Sequence, residues 1–247
     1  MSHSTLIPLP LRTNFQFKIN KIIDHTEQIR ELYLELTNQP HFLFKAGQFA
    51  MLHVPVEGSK PALRAYSIAS TEEQINGFKL IFKFVETGVA SQFIWSLKGD
   101  EILHMTGPFG KVFFLEPPAP QIVFLNTGSG ISQHFSFLES KMKNYPNLNY
   151  KLFFGLRYES DIYYESELKR LQKSLPNFHY EYVISRPTES WAGRKGYVQD
   201  CLKDFDYKTI PTTFYLCGNG AMIKDVKTQL LEIDGLEKNQ VWSEAFD

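Results

Sequence analysis

Residues 121–131 of the chain read QIVFLNTGSGI, a short apolar run followed by a turn rich in glycine. The run at 122–125 is typical of a strand buried on both faces, and Gly128 and Gly130 indicate a tight turn into a helix. Backbone N–H groups at such a turn, with the positive end of the helix dipole, favour an anion such as a pyrophosphate. The motif is only G-x-G, so a plain strand-to-helix turn explains it equally well.

The stretch 215–222 (YLCGNGAM) repeats this arrangement, and strands and helices alternate throughout the second half of the chain. Such alternation predicts a parallel sheet with helices on both faces, whose ligands bind at the carboxyl ends of the strands. Two glycine turns at those ends favour a dinucleotide crevice. Cys217 ends one predicted strand, although a buried cysteine is often only a small apolar residue. The predicted strands cover 121–125, 150–154, 178–184, 213–217 and 240–246, and the predicted helices cover 131–143, 165–173, 198–203 and 222–231.

The first half of the chain has a different pattern, with short alternating segments separated by Gly, Pro, Ser and Asn. Many short strands at such spacing predict an antiparallel barrel or sandwich. The proline-rich segment 116–120 (EPPAP) suits neither a central strand nor a helix interior, so we place a domain boundary there, with domains at 1–117 and 118–247. The predicted strands cover 15–23, 29–36, 49–54, 64–69 and 78–85, and one helix covers 89–97.

The composition excludes several classes of function. Lys and Arg (26) nearly balance Asp and Glu (27), so no global basic field attracts nucleic acid, and no apolar run approaches the length that spans a membrane. Two cysteines, Cys201 and Cys217, cannot hold an iron–sulfur cluster, and no histidine has metal-ligand spacing. Because residues 1–10 do not form a secretory signal, we expect a cytoplasmic protein with reduced thiols. The cysteine and histidine spacing leads us to expect no bound metal.

A chemically rich stretch, Arg64-Ala65-Tyr66-Ser67, ends one of the predicted strands of the first half. It offers a cation for a phosphate, a ring for stacking and a hydroxyl for hydrogen bonding. An ordinary alternating strand gives the same pattern, and spacing alone favours that structural explanation.

The stretch 64–67 nevertheless resembles the R-x-Y-S flavin motif of the ferredoxin–NADP reductase family. Other motifs of that family follow in its order and spacing, so the resemblance covers nearly the whole chain, from about residue 15 to 247. These motifs are 88–91 (GVAS), 99–100 (GD), 107–110 (GPFG), 128–130 (GSG) and 217–222 (CGNGAM).

The resemblance implies an antiparallel FAD-binding barrel followed by an α/β nucleotide-binding domain. Arg64, beside Ala65, would then pair with the FAD pyrophosphate, Tyr66 would pack on the flavin and Ser67 would lie near flavin N5. The rest of the expected FAD contacts come from the next strand and the helix start that follows it: Lys83, Phe84, Val85, Gly88, Val89, Ala90 and Ser91. Ser91 could instead be only a helix cap.

The same resemblance implies a nicotinamide nucleotide at the second domain. Ser185-Arg186 and Lys195-Gly196-Tyr197 resemble the arrangement that holds the 2′-phosphate in NADP-using members, which favours NADP(H) over NAD(H), although a solvated loop has similar residues. Arg157 is a further contact candidate. The remaining expected contacts lie at the two glycine turns: Thr127, Gly128, Gly130, Cys217, Gly218 and Met222.

The carboxyl end closes the site in this family. Glu244 would lie near the nicotinamide, and Phe246 could cover the flavin ring, whereas the alternative is an edge strand with a loose tail. We expect Ser67, Cys217 and Glu244 to place the reacting rings. The chain departs from the family pattern at Thr87, at Gln133, where the family has proline, and at Asp247. We expect the loss of that proline to loosen its loop slightly.

The resemblance implies a reductase that transfers a hydride between NADPH and FAD and passes single electrons to a separate acidic carrier, ferredoxin or flavodoxin. Arg64, Lys83 and Lys111 are candidates for its docking surface. Alternatives are the reductase component of an oxygenase, an NAD(P)H:free-flavin reductase, which motifs 88–91 and 107–110 disfavour, and a flavin- and nucleotide-binding regulatory subunit without turnover. Retention of Ser67, Cys217 and Glu244 argues against the last.

Overall fold

A computed structural model describes residues 13–246, which form two six-stranded sheets that follow each other along the chain. The absence of a secretory signal, predicted from residues 1–10, concerns a segment outside the described residues, as does the departure at Asp247. Within 13–246, none of the helices is both long and apolar enough to cross a membrane.

The first sheet is antiparallel throughout, in the order β4-β3-β6-β1-β2-β5. A bridge between Ile68 and Leu80 joins its two ends and closes it into a barrel. Phenylalanines on alternating positions fill the interior, as the period of two requires. The strands are β1 (Thr13–Thr26), β2 (Ile29–Leu36), β3 (Phe49–Val54), β4 (Ala62–Ser67), β5 (Gly77–Lys83) and β6 (Ile102–Phe109), with helix α1 (Val89–Ser96) between β5 and β6.

The predicted antiparallel architecture is confirmed, but the strand β6 is absent from the sequence prediction. Its sequence ends in Gly107-Pro108-Phe109, and proline normally argues against a strand. In the structure Gly107 occupies the last ladder position shared with β1, opposite Thr13, and Pro108 follows it at the end of β6. The prediction for β4 is also displaced, because that strand begins at Ala62 and ends at Ser67.

The second sheet is parallel throughout, in the order β10-β9-β8-β7-β11-β12. The predicted α/β class is confirmed. The two-residue strand β10 was too short to predict, and the helix predicted at 198–203 is a 3₁₀ segment over Val198–Asp204. The elements are β7 (Gln121–Thr127), α2 (Ile131–Lys141), β8 (Asn149–Leu156), α3 (Glu165–Ser174), β9 (Phe178–Ile184), β10 (Arg194–Lys195), β11 (Thr212–Asn219), α4 (Gly220–Lys227) and β12 (Val241–Phe246).

The strand order reverses at β7, which has β8 on one side and β11 on the other. Such a switch point leaves a crevice at the carboxyl ends of the strands, because the connections leave in opposite directions. Alternate residues of β7 face opposite layers: Ile122 and Phe124 belong to the core that contains α2 and α3, whereas Val123 and Leu125 belong to the core beneath α4.

Helix α2 lies between the second sheet and the barrel, and nine of its eleven residues are buried. Its polar side chains bond to the barrel. Ser136 Oγ donates to the Ser70 carbonyl at 2.7 Å, and Ser140 Oγ accepts from the Glu72 N–H at 3.1 Å. The barrel and the sheet are therefore joined through specific hydrogen bonds as well as apolar contact.

A second contact between the two halves is a buried carboxylate, Glu31 on β2. It accepts hydrogen bonds from the Tyr164 hydroxyl and, at 2.8 Å, from His25 Nε2, and it lies 3.4 Å from Lys79 Nζ. Burial raises the pKa of Glu31, but His25, Lys79 and Tyr164 outweigh it and hold the pKa below its usual value. The stabilisation from Glu31 is thus present above its ordinary pKa and is lost as the pH falls through the lowered value.

We expect Tyr164→Phe to lower the free energy of unfolding by about 1.5–3 kcal/mol, because it removes a donor from a buried charged group. Urea unfolding followed by circular dichroism measures this. Tyr180→Phe is the matched control, because the Tyr180 hydroxyl makes no hydrogen bond with the described residues. Equal effects of the two substitutions would contradict a role for the Glu31 contact in joining the halves.

Candidate functional site

A cleft of about 560 Å³ lies between the barrel and the carboxyl ends of β7, β8, β9 and β11. The barrel contributes one wall and the second sheet the rest. The lining residues are Gln28, Ile29, Lys83, Thr127, Gly128, Ser129, Gly155, Leu156, Arg157, Asp161, Val183, Ser185, Gly196, Tyr197, Val198, Gln199, Gly218, Asn219, Ala221, Met222, Asp225 and Phe246. Its position at the switch point and its lining of both apolar and polar residues are typical of a ligand-binding cleft.

The two glycine turns predicted from the sequence lie side by side at the base of this cleft. The Asn219 N–H donates to Thr127 Oγ1 at 2.9 Å. Gly218 has φ +135°, and a Cβ there would lie 2.3 Å from Thr127 Oγ1, so no other residue fits between the turns. The predicted proximity of the two turns is therefore seen in the structure.

The two turns differ in their capacity to bind an anion. Asn219 caps α4, since its side-chain oxygen accepts from the N–H groups of Ala221 and Met222. No side chain caps the 3₁₀ turn at 128–130 or the start of α2. The positive helix end next to Gly128 is consequently the stronger candidate for a pyrophosphate.

Lys83, at the end of β5, faces this turn from the barrel side. A Cβ on Gly128 would lie 3.7 Å from Lys83 Cδ and 3.9 Å from Nζ. The Lys83 ammonium makes no ion pair with the described residues, so it is a free cation beside the uncapped helix end. The sequence predicts Lys83 among the FAD contacts, and the structure places it in the lining of the cleft with Gly128.

Three cations, Arg157, Arg186 and Lys195, lie at one end of the cleft, whose lining also includes the carboxylates of Asp161 and Asp225. Arg157, Tyr197 and Ser185 line this end of the cleft. Arg157 and Tyr197 are exposed, and Ser185 is half-buried. Arg186 lies next to this group, because its N–H donates to the Arg157 carbonyl at 2.9 Å. Lys195 is the β10 partner of Ile184, one residue before Ser185. Neither Arg186 nor Lys195 lines the cleft itself, but both are exposed at its rim.

The terminal strand β12 lies at the edge of the sheet, where Cys217 pairs with Glu244 and Asn219 pairs with Phe246. Phe246 lines the cleft, whereas Cys217 and Glu244 lie outside the set of lining residues. Burial, together with Glu244, raises the pKa of the Cys217 thiol well above its usual value, so it stays neutral. Burial also raises the pKa of Glu244 to about 7.

The R-x-Y-S stretch lies on β4 at the end of the first sheet and outside the cleft lining. Arg64 and Ala65 are exposed. Tyr66 packs on the Phe82 ring at 4.4 Å, and burial raises its pKa to about 12 against the opposing charge of Arg64. Ser67 Oγ is buried without a hydrogen-bond partner. An exposed cation, a neutral ring and an orphaned hydroxyl on one strand fit a planar, charged cofactor such as FAD.

In the turn before α1, backbone N–H groups are available to a ligand, whereas the Ser91 hydroxyl is used within the turn itself. Ser91 Oγ accepts from the Val85 N–H at 2.8 Å and thereby holds the turn. No side chain caps α1, so its first N–H groups remain available to an anion. Around them, Val89 and Val85 are exposed, Gly88 and Phe84 are half-buried, and Ala90 is buried.

Some residues of the site have no signal in the sequence. Gln28, in the turn after β1, and Ile29, the first residue of β2, line the cleft with no motif to mark them. Asn219 lies inside the quoted stretch 217–222, so its position was indicated although its capping role was not. The sequence marks Gln133 only as a departure from the family's proline; in the structure it bonds to both Gly47 and Glu244 and is not loosely held. No cluster of metal-binding side chains is found within residues 13–246.

Comparisons with known proteins place both halves of the chain. Residues 16–114 match the family model "Oxidoreductase FAD-binding domain", and residues 124–228 match "Oxidoreductase NAD-binding domain". A relative from Sorangium cellulosum, "Ferredoxin--NADP reductase B", is 32% identical over 228 residues, which cover 89% of this chain and 92% of the relative.

Other relatives are longer than this chain. "Phenol 2-monooxygenase, reductase component DmpP" of Pseudomonas sp. strain CF600 is 29% identical over 92% of this chain, which spans only 64% of that relative. Among solved structures, a ferredoxin NADP+ reductase from Neisseria gonorrhoeae with bound FAD and NADP matches with a TM-score of 0.78 and 22% identity over 95% of this chain and 98% of that one. At that identity the likeness shows the fold alone.

We expect Glu244→Gln to change the pH dependence of stability. The pKa of Glu244 is about 7 in the folded state and near 4.5 when unfolded, so its ionisation destabilises the folded protein as the pH rises from 4.5 to 7. The stability of the variant relative to the unaltered protein should therefore rise by about 1–3 kcal/mol between pH 5 and pH 8. Urea unfolding at both pH values measures this difference, and a pH-independent difference would contradict the raised pKa.

Proposed function

Because the chain belongs to the ferredoxin–NADP reductase family, we propose that it is an NADPH-dependent flavoprotein that passes electrons singly to a separate carrier such as ferredoxin or flavodoxin. FAD and a nicotinamide nucleotide are its cofactors, and hydride transfer between them is its chemistry. We assign the first role to a domain at 1–117 and the second to a domain at 118–247. The observation that carries the proposal is the cleft that both halves share at the switch point of the parallel sheet.

The barrel side supplies residues suited to the flavin. When bound, the flavin accepts two electrons as a hydride and releases them one at a time. Arg64 would bind the FAD pyrophosphate, the ring of Tyr66 would pack on the isoalloxazine, and the unpartnered Ser67 hydroxyl would bond near its N5. The free N–H groups at the start of α1 would add to the pyrophosphate site.

The nicotinamide end would lie where β11 and β12 finish. Cys217 is neutral and buried there, so it would pack beside a planar ring without reacting as a nucleophile. Glu244 would orient the nicotinamide or hold a proton, since a pKa of about 7 allows both states near neutral pH. Phe246 lines the same end and would exclude water.

A preference for NADPH rests on the three cations at one end of the cleft. Arg157, Arg186 and Lys195 lie close to Ser185 and Tyr197 along the chain or across the sheet, which suits a 2′-phosphate dianion with the adenine ring beside it. The Asp161 carboxylate also lines this end, but it accepts the Tyr158 N–H at 2.9 Å and so belongs to the local turn.

A second candidate is the reductase component of an oxygenase. The names of several relatives describe such components, including those of phenol 2-monooxygenase and anthranilate 1,2-dioxygenase. The cofactor chemistry would be unchanged and only the electron acceptor would differ. In either case the acceptor is a separate acidic protein that would approach the exposed cations Arg64, Lys83 and Lys111.

We expect the purified protein to be yellow and to reduce ferricyanide with NADPH in clear preference to NADH. The visible spectrum recorded before turnover reports bound flavin, and the two donors are then compared for kcat/KM. A colourless protein that needs added flavin would instead favour a free-flavin reductase. A yellow protein that oxidises neither donor with any acceptor would favour a regulatory subunit and contradict the proposal.

Replacing Arg186 and Lys195 together with Ala should raise KM for NADPH about tenfold or more and leave KM for NADH nearly unchanged, because only NADPH loses charge-assisted hydrogen bonds. Steady-state kinetics with both donors measure this. Lys203→Ala, an exposed lysine of the nearby 3₁₀ segment, is the control. An equal loss for both donors would show that the pair does not recognise the 2′-phosphate.

A further inference from the structure

Gln133, the third residue of α2, joins three parts of the protein. It is fully buried, and its Nε2 donates to Glu244 Oε2 at 2.6 Å and to the Gly47 carbonyl at 3.1 Å. These two acceptors fix the orientation of the amide, because the flipped form would place Oε1 against two other oxygens. The side chain thus connects the start of α2, the barrel and the terminal strand.

The barrel end of this connection is rigid. Gly47 has φ +95° and lies in the turn before β3, against α2 and the segment between β6 and β7. A Cβ there would lie 2.3 Å from the Val112 carbonyl oxygen and 2.6 Å from the Phe137 ring. Close packing between the barrel and α2 therefore holds the Gly47 carbonyl in a fixed position.

The other end of the connection is a side chain on an edge strand. β12 pairs only with β11, so nothing in the sheet fixes Glu244 from its outer side. Its Oε2 is held by Gln133, whereas Oε1 makes no hydrogen bond with the described residues and stays available. No charged side chain of the described residues forms an ion pair with Glu244; the titratable group beside it is Cys217 on β11.

We propose that Gln133 is a positioning residue, which holds the Glu244 carboxylate toward the nicotinamide end of the cleft. The inference rests on the proposed reductase function. A proline at this position, as the family pattern has, contains no side-chain donor and could not make either contact. Gln133 also affects ionisation, because an N–H that donates to a carboxylate stabilises its charged form and opposes the effect of burial. Without this donor, Glu244 would hold its proton to a higher pH.

The test compares Gln133→Met, Glu244→Gln and the double variant with the unaltered protein. The pKa of Glu244 is measured where Glu244 is present, and the rate of flavin reduction is measured in all four proteins. Carboxyl ¹³C NMR of glutamate-labelled protein without nicotinamide nucleotide measures the pKa of Glu244, with Glu244→Gln assigning the signal. Stopped-flow reduction of the bound flavin by NADPH measures hydride transfer. We expect Gln133→Met to raise the pKa by about one unit and to slow reduction about tenfold, but to slow it less than twofold when Glu244 is already Gln.

Two further variants separate positioning from general damage. Gln48→Met replaces another buried glutamine, next to Gly47, whose Oε1 accepts the Lys45 N–H and does not contact Glu244. We therefore expect little change in the Glu244 pKa or in the rate of flavin reduction. If Gln133→Met fails to fold, Gln133→Asn keeps the amide but is one methylene shorter, so the hydrogen bond to Glu244 should weaken and the Glu244 pKa should rise in the same direction by a smaller amount.

An unchanged Glu244 pKa, or an equal slowing by Gln133→Met in both backgrounds, would overturn the inference while leaving the reductase function intact. If the unaltered protein binds flavin but NADPH does not reduce it, both the proposed function and the role of Gln133 are wrong. The NMR titration distinguishes the two failures, because it needs neither nucleotide nor turnover.

Discussion

The whole arrangement depends on α2, a helix buried on both sides between the parallel sheet and the barrel. Buried polar side chains must find partners, and each that fails to do so costs about 1–3 kcal/mol. Ser136 and Ser140 meet this requirement through the barrel backbone. The Nε2 of Gln133 does so through the Gly47 carbonyl, whereas its Oε1 has no partner among the described residues. These bonds have directions, so they fix how the barrel sits on the sheet. The start of the same helix carries the uncapped turn at 128–130, so one element sets both the domain geometry and the nucleotide site.

The buried carboxylate of Glu31 provides a second constraint between the halves. Its partner Tyr164 follows Tyr163, whose hydroxyl donates to the Gly128 carbonyl at 3.1 Å. The loop after β8 therefore touches the barrel and the glycine turn together. With Lys83 facing Gly128 from β5, the anion site is bounded by groups whose positions depend on the contact between the halves. A cleft assembled in this way holds two ligands in a fixed relation, which hydride transfer requires.

Local patterns in the sequence were sufficient for the architecture. The buried run at 122–125 and the glycine turns marked the parallel sheet and its crevice, because these features depend only on neighbouring residues. The strand β6 was missed because Gly107-Pro108 is a breaking signal whose place at a strand end is set by tertiary packing. Gln133 bonds to residues 86 and 111 positions away, and Glu31 meets Tyr164 across 133 positions. No spacing rule reveals such pairs, so the residues that join the domains and position Glu244 needed the structure.

In the proposed function, the two halves hold two planar rings together, one against the barrel and one at the end of the terminal strand. A crystal structure of the protein with FAD and a nicotinamide nucleotide tests it most directly. The account predicts the isoalloxazine against Tyr66, with the nicotinamide between it and the pair formed by Cys217 and Glu244. A flavin bound away from Tyr66, or a nicotinamide far from the end of β12, would contradict it.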